Sequence, residues 1–233
     1  MPSLTVENYV KAIFNVGATD AAKPAATGQV ATALKVSPGT VTSMLKTLSE
    51  SGLADYTPYE GVRLTEEGRG LALRILRRHR LIEAFLARSL GLQWEEVHDD
   101  AEQMEHVVSD FLLQRIDHYL GYPQFDPHGD PIPGADGVLP PLAAQPLSDC
   151  ALGHRFRLVR VLDQSPDFLR FLSRCGLSLD AEGRVVDNLP EARTVTVAVG
   201  GQQFALGHEA ATSLLVTVIA EDTESSPERP LPV

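Results

Sequence analysis

Six side chains able to ligate a metal ion fall within 28 residues: His79, Glu83, His98, Glu102, Glu105 and His106. They lie on two stretches with helical patterning. His79 and Glu83 are four residues apart, as are His98, Glu102 and His106 in succession, so each set shares a helix face. Glu102 and Glu105 repel one another unless a positive charge lies between them. A mixed imidazole and carboxylate set suits a divalent transition metal. The same spacing also describes an ordinary solvated helix face, so spacing alone leaves both readings open.

The segment upstream sets the context. Residues 5–17 read as an amphipathic helix whose apolar stripe is Val6, Tyr9, Val10, Ile13 and Phe14. Thr27 opens a short helix, VSPG makes a turn, and Ser37 caps the next helix. Pro38 stands at its first position, where a missing N–H costs nothing. Short helix, tight turn and capped helix form the helix-turn-helix pattern. Its second helix presents Ser37, Pro38, Thr40, Thr42, Ser43 and Lys46, small hydrogen-bonding groups and one cation suited to phosphates and base edges. LADY and VRL around the loop TPYEG read as the two-stranded wing of a winged helix. A generic helical hairpin beside an unrelated β-hairpin is the blander alternative.

The net charge of −11 is unusual for a DNA binder, but it is unevenly spread. Residues 1–74 carry seven basic and seven acidic residues, residues 75–120 are net −4, and residues 121–233 are net −7. The acidity lies away from the DNA-reading part, and an acidic middle suits cation binding. The neutral head leaves DNA affinity to depend on dimerisation and placement. Cys150 and Cys175 are too few for a disulfide framework or a structural zinc site. No apolar run approaches a membrane span, and the start lacks a signal-peptide pattern, so a cytoplasmic protein is expected. Nucleotide-binding glycine loops, nucleophile elbows and zinc-protease motifs are absent. Glu95-x-x-His98 fits a di-iron motif, but no second copy accompanies it. An enzyme is therefore not expected.

Thr65, followed by Glu66 and Glu67, starts a long helix to about Ser89. Its Arg74, Arg77, Arg78 and Arg80 read as a solvated face or as contacts to the DNA backbone. A second helical stretch runs from about Trp94 to Leu120, with a bend near Asp99 and Asp100. Its Val107, Val108, Phe111, Leu112, Leu113 and Ile116 exceed what one buried face needs, and a homodimer interface would use the surplus. Seven prolines between Gly121 and Asp149 mark a linker or surface strap. Strand patterning follows, with a helix after Ser165 and a hairpin at TVTVAV–GG–QQFAL. The expected fold is mainly α with a small β domain. Residues 1–72 form a winged helix-turn-helix, 73–148 a helical metal-binding and dimerisation domain, 149–220 an SH3-like β-barrel, and 221–233 a disordered tail.

RRHRLIEAFLARSLGL, VHDDAEQMEHVVSD and DPHGDPIPG resemble the core of the DtxR/MntR family of metal-dependent repressors, in the same domain order over about 220 residues. The resemblance implies that His79, Glu83 and His98 form an ancillary metal site, and that Glu102, Glu105 and His106 form the primary, activating one. It places Glu102 where iron-type members have cysteine and manganese-type members a carboxylate. It places Asn8 at a first-helix ligand position, and Lys11 where a glutamate helps form the manganese type's paired-metal site. An ammonium there disfavours that pairing. Gln164 and Asp167 match ancillary ligands from the SH3-like domain, although Asp167 is equally an acid in the first turn of its helix.

The implied function is a metal-dependent DNA-binding repressor of metal homeostasis, acting as a homodimer on a palindromic operator. His79 joins the primary group in the manganese type and the ancillary group in the iron type. Mn(II) is the expected metal, with Fe(II) the alternative. A metal-buffering or redox protein with an incidental helix-turn-helix is the reading from a different class.

Overall fold

A computed structural model describes residues 3–18 and 23–219. The tail expected to be disordered, residues 221–233, lies outside the described residues. The chain divides into two compact units, Met1–Pro141 and Leu142–Val233. Among the described residues no helix is long and apolar enough to cross a membrane.

The first unit begins with α1 (Leu4–Ala18), α2 (Thr27–Leu34) and α3 (Pro38–Glu50), followed by β1 (Ala54–Thr57) and β2 (Gly61–Leu64). Val10, Ile13, Val30, Val41, Leu45, Leu48 and Val62 close one core. Ser37 accepts a hydrogen bond from the Thr40 amide at 3.2 Å, and Pro38 starts α3. The connecting turn is Lys35–Ser37, with Lys35 left-handed at φ 54°. β1 and β2 pair antiparallel as the expected wing, from Ala54 opposite Leu64 to Thr57 opposite Gly61.

α4 (Glu66–Leu90) joins this core to the next. At ~1.5 Å per residue its length is roughly 37 Å. Thr65 accepts from the Gly68 amide at 3.1 Å, and left-handed Gly91 (φ 73°) ends the helix. Gly68 admits no side chain, because a Cβ there would stand 1.9 Å from the Leu53 carbonyl oxygen. Leu71, Ala72 and Ile75 pack into the winged-helix core. Leu81, Ile82 and Leu86 pack into a second core with Val97, Ala101, Val108, Leu113 and Ile132. One continuous helix therefore spans both.

The second helical stretch departs from its expected course. Rather than one bent helix, it forms α5 (Val97–Met104) and α6 (Asp110–Tyr119). The chain turns at Glu105–Val107, and Ser109 caps a new helix by accepting from the Leu112 amide at 3.2 Å. Val107, Phe111 and Tyr119 are 80%, 75% and 71% exposed, an apolar surface that this chain alone leaves uncovered.

Of the four α4 arginines read as a solvated or DNA-facing stripe, Arg74 is exposed and the other three correct the expectation. Arg77 donates to the Pro133 carbonyl at 2.6 Å and to Asp117 at 2.5 Å. Arg80 is buried, donating to the Pro131 carbonyl at 2.6 Å and to Asp130 at 3.2 Å. Arg78 bonds Asp110 at 2.6 Å. These three hold the proline-rich strap and α6 instead of lining a solvated or DNA-facing stripe.

In the second unit, β3 (Gln145–Pro146), β4 (Arg155–Val161), β5 (Glu182–Leu189), β6 (Thr194–Val199), β7 (Gln202–Gly207) and β8 (Leu214–Ile219) form one antiparallel sheet, ordered β3-β8-β4-β5-β6-β7. α7 (Pro166–Arg174) and α8 (His208–Thr212) complete this SH3-like domain. Val195, Val197 and Val199 face inward as the alternation predicted. Ser165 makes no side-chain cap; the turn into α7 is held by Asp163, whose Oδ1 accepts from the Ser165 amide at 3.0 Å. Cys150 and Cys175 are free and buried.

Candidate metal centre

α4, α5 and the turn after it bring the six predicted ligands to one region of the first unit. From α4, His79 Nδ1 lies 2.6 Å from Glu105 Oε2 and 3.6 Å from Glu102 Oε2. Candidate ligand atoms of His79, Glu102 and Glu105 all lie within 4.8 Å of one another. His106 adjoins them through Nε2, 3.2 Å from Glu105 Oε1. Its Nδ1 lies 2.7 Å from Glu7 Oε2 on α1. A carboxylate on one ring nitrogen fixes the orientation of the other, the usual support for a ligating histidine. Glu7 is a participant that sequence reasoning missed, although it adjoins Asn8.

Lys11, one turn further along α1, enters the same cage. Its Nζ donates to both oxygens of Glu105, at 2.9 and 2.8 Å, and to Glu102 Oε2. It also lies 3.3 Å from His79 Nδ1. Burial alone would raise the Glu102 carboxyl, but the Lys11 charge and hydrogen bond hold it below its ordinary value. Asn8 Oδ1 is buried without a hydrogen-bond partner. A buried carbonyl oxygen without a donor is unfavourable unless something positive meets it. The two carboxylates and the imidazole that converge here fit a hard divalent cation.

Glu83 anchors a second group. Its Oε1 lies 3.0 Å from His79 Nε2 and 3.4 Å from His98 Nδ1. His79 and His98 meet edge to face, with centroids 5.0 Å apart. The other carboxylate oxygen faces the strap, where Asp126 and His128 are both buried. Candidate ligand atoms of Glu83, Asp126 and His128 also lie within 4.8 Å of one another. Sequence reasoning had read DPHGD as part of a strap and assigned it no ligand.

The hydrogen bonds of the strap leave two atoms over. Asp126 Oδ1 accepts from the amides of His128 and Asp130 at 2.8 and 2.9 Å, while Oδ2 has no hydrogen-bond partner. His128 Nε2 donates to the Trp94 carbonyl at 2.7 Å. Its Nδ1 also has no hydrogen-bond partner, standing 3.7 Å from Glu83 Oε2. A histidine that donates one N–H to a backbone carbonyl and keeps the other nitrogen free has the geometry of a metal ligand.

Without a metal, protons do part of the neutralising. Burial would lower the His79 pKa, but hydrogen bonds to Glu105 and Glu83 outweigh it and raise it to about 9. His128 behaves alike: burial opposes its charge, yet the Glu83 and Asp126 carboxylates bring it to about 9. Asp126 is pushed up to about 8 by burial, then by repulsion from Asp130 and Glu83. Burial would also raise Glu83, but His128, His79 and His98 hold it well below the carboxylate range.

The remaining predicted residues lie elsewhere. Ser37, Pro38, Thr40, Ser43 and Lys46 are exposed on α3, and Thr42 is half-buried. Thr42 turns its hydroxyl back to the Pro38 carbonyl at 2.9 Å. Gln164 and Asp167 belong to the second unit, where Asp167 accepts from Arg170 at 2.9 Å.

Comparison with known proteins agrees with this layout. Residues 1–62 match the model for the iron-dependent repressor N-terminal DNA-binding domain, and residues 65–134 its metal-binding and dimerisation domain. Residues 145–218 match the FeoA domain. A solved manganese-dependent transcriptional repressor in complex with manganese is 40% identical, with a TM-score of 0.85, covering 92% of this chain and all of that one. The chain belongs to the DtxR/MntR family of metal-dependent repressors. It is accordingly a DNA-binding transcriptional regulator and not an enzyme. The iron-dependent repressor IdeR of Mycobacterium leprae is 28% identical over 228 residues, 91% of this chain and 96% of that protein. The solved IdeR of T. acidophilum is 28% identical, with a TM-score of 0.77, covering 94% of this chain and all of that one. This DtxR/MntR member thus resembles both manganese- and iron-named relatives along nearly its whole length.

Proposed function

We propose that this chain is a Mn(II)-responsive homodimeric repressor that controls metal homeostasis from a palindromic operator in the cytoplasm. The observation that carries the choice of metal is the primary cage. Its donors are the oxygens of Glu102 and Glu105 and the nitrogens of His79 and His106, with no thiolate among them; Asn8 on α1 is the further ligand that the family resemblance implies. Hard oxygen donors favour manganese over softer metals. A cation held there supplies two positive charges to a carboxylate-rich pocket.

With an ion between them, Glu102 and Glu105 hold the end of α5 against α1. Through Glu7 and His106 that order reaches the winged helix, because α1 shares its core with α3. Ser37, Pro38, Thr40, Thr42, Ser43 and Lys46 then meet the major groove. A partner chain covers Val107, Phe111 and Tyr119 and sets the spacing of two half-sites. Metal favours the DNA-competent arrangement by differential affinity. Glu83, His98, Asp126 and His128 are the ligands of the second site.

The second reading is an Fe(II) sensor, favoured by the His79, Glu83 and His98 group that the family resemblance ties to iron-type members. Operator binding titrated with Mn2+ and Fe2+ under reducing conditions decides between them. We expect Mn2+ to switch binding on, and replacement of Glu105 or His106 by alanine to abolish the switch. Equal operator affinity with and without either metal would sink the mechanism.

A further inference from the structure

The Lys11 ammonium occupies the position in the primary cage that a divalent ion would need. We propose that Lys11 is a built-in cation of this cage: it holds α1 docked when metal is absent, and metal enters only by displacing it. This rests on reading the cage as the metal site.

The geometry supports both halves of the proposal. Lys11 is 8% exposed, although lysine is almost never buried unless paired. Its three N–H donors reach Glu102, both oxygens of Glu105 and the neighbourhood of His79. Those are the same three residues whose ligand atoms converge in the cage. Glu105 is fully buried, so its carboxylate requires a positive partner in every state of the protein. Lys11 meets that requirement from α1, a helix otherwise tied to this region by Glu7 and His106.

Two consequences follow. The metal-free chain keeps α1 packed on the α4–α5 cage, so its resting state is partly ordered for DNA. Metal also binds more weakly than the donor set alone would allow, because an ammonium must first leave the carboxylates. Asn8 Oδ1, on the same helix, is buried without a hydrogen-bond partner.

The test compares the full chain with Lys11→Met, Lys11→Arg and Glu105→Gln. Mn2+ binding is followed by the electron paramagnetic resonance signal of free Mn2+. Hydrogen exchange of the α1 amides is followed in EDTA. The class of Mn2+ sites lost in Glu105→Gln identifies the cage. Lys11→Met should bind Mn2+ about tenfold more tightly in that class. In EDTA its Val10–Phe14 amides should exchange about tenfold faster than in the parent chain, with protection restored by Mn2+. Lys11→Arg, which keeps the charge, should retain protection in EDTA. Unchanged or weaker Mn2+ binding in Lys11→Met overturns the displacement half, and unchanged exchange in EDTA overturns the docking half. If Glu105→Gln loses no class of sites, the metal reading of the cage itself fails, a separate outcome from either of these.

Discussion

His106 Nδ1 lies 2.7 Å from Glu7 Oε2, joining the turn after α5 to the first helix of the winged domain. A candidate ligand is thus oriented by a residue of the DNA-reading part. Glu7→Ala should weaken Mn2+ binding by about 10- to 100-fold, the usual loss when a histidine ligand loses its supporting partner. Isothermal titration calorimetry checks this. The operator shift should then require correspondingly more metal, with the fold intact by circular dichroism.

Asp126 Oδ2 and His128 Nδ1 are buried without a hydrogen bond, the first 3.9 Å from Arg80 Nε and the second 3.7 Å from Glu83 Oε2. Asp126→Ala and His128→Ala should each lower the metal-to-protein ratio by one ion while sparing the cage of His79, Glu102 and Glu105. Elemental analysis after dialysis against dilute Mn2+ gives the ratio. An unchanged ratio in both variants would remove the strap from the site.

The raised pKa values make the metal-free protein sensitive to alkali. His79 and His128 sit at about 9 in the folded chain, against an ordinary value of 6.5. The stability they contribute is complete below about pH 6.5 and is lost as pH rises through 9. Asp126, at about 8 against 3.8, acts in the same direction, since its ionised form is disfavoured by folding. The urea midpoint in EDTA should therefore fall between pH 6.5 and pH 9. Metal displaces the same protons, so Mn2+ affinity should rise over that interval and loading should release protons to the buffer.

Phe111 is 75% exposed beside Val107 at 80%. In the proposed homodimer a second copy of the chain covers these apolar groups. Phe111→Glu should yield a monomer by sedimentation velocity and lose most operator affinity, because one half-site contact replaces two. A dimer that persists in this variant would place the interface elsewhere.

The sequence made the helix-borne part of the centre legible. His79, Glu83, His98 and Glu102 announce themselves by four-residue spacing, and helix geometry converts that spacing directly into a shared face. Asp126 and His128 carry no periodicity, since the strap is irregular and its approach to Glu83 is set by Arg77 and Arg80 on α4. The role of Lys11 required knowing that α1 packs onto α4 and α5, a tertiary fact beyond the reach of local pattern. The break between α5 and α6 was signalled by Ser109 before Asp110, a capping pair that the surrounding apolar run obscured. β5 carries no strand pattern of its own, because Gly183, Asp187 and Asn188 have poor strand propensity; pairing with β4 and β6 supplies what the residues lack.

The strap also bears on how such a sensor can change over time. A ligand on a helix is bound to its neighbours at fixed spacing, and replacing it disturbs a packed face. Asp126 and His128 sit on a loop pinned by backbone carbonyls, which any residue at Pro131 or Pro133 would still offer. At the proposed second site, metal preference can therefore change through single substitutions in the strap, while the packed helices stay as they are.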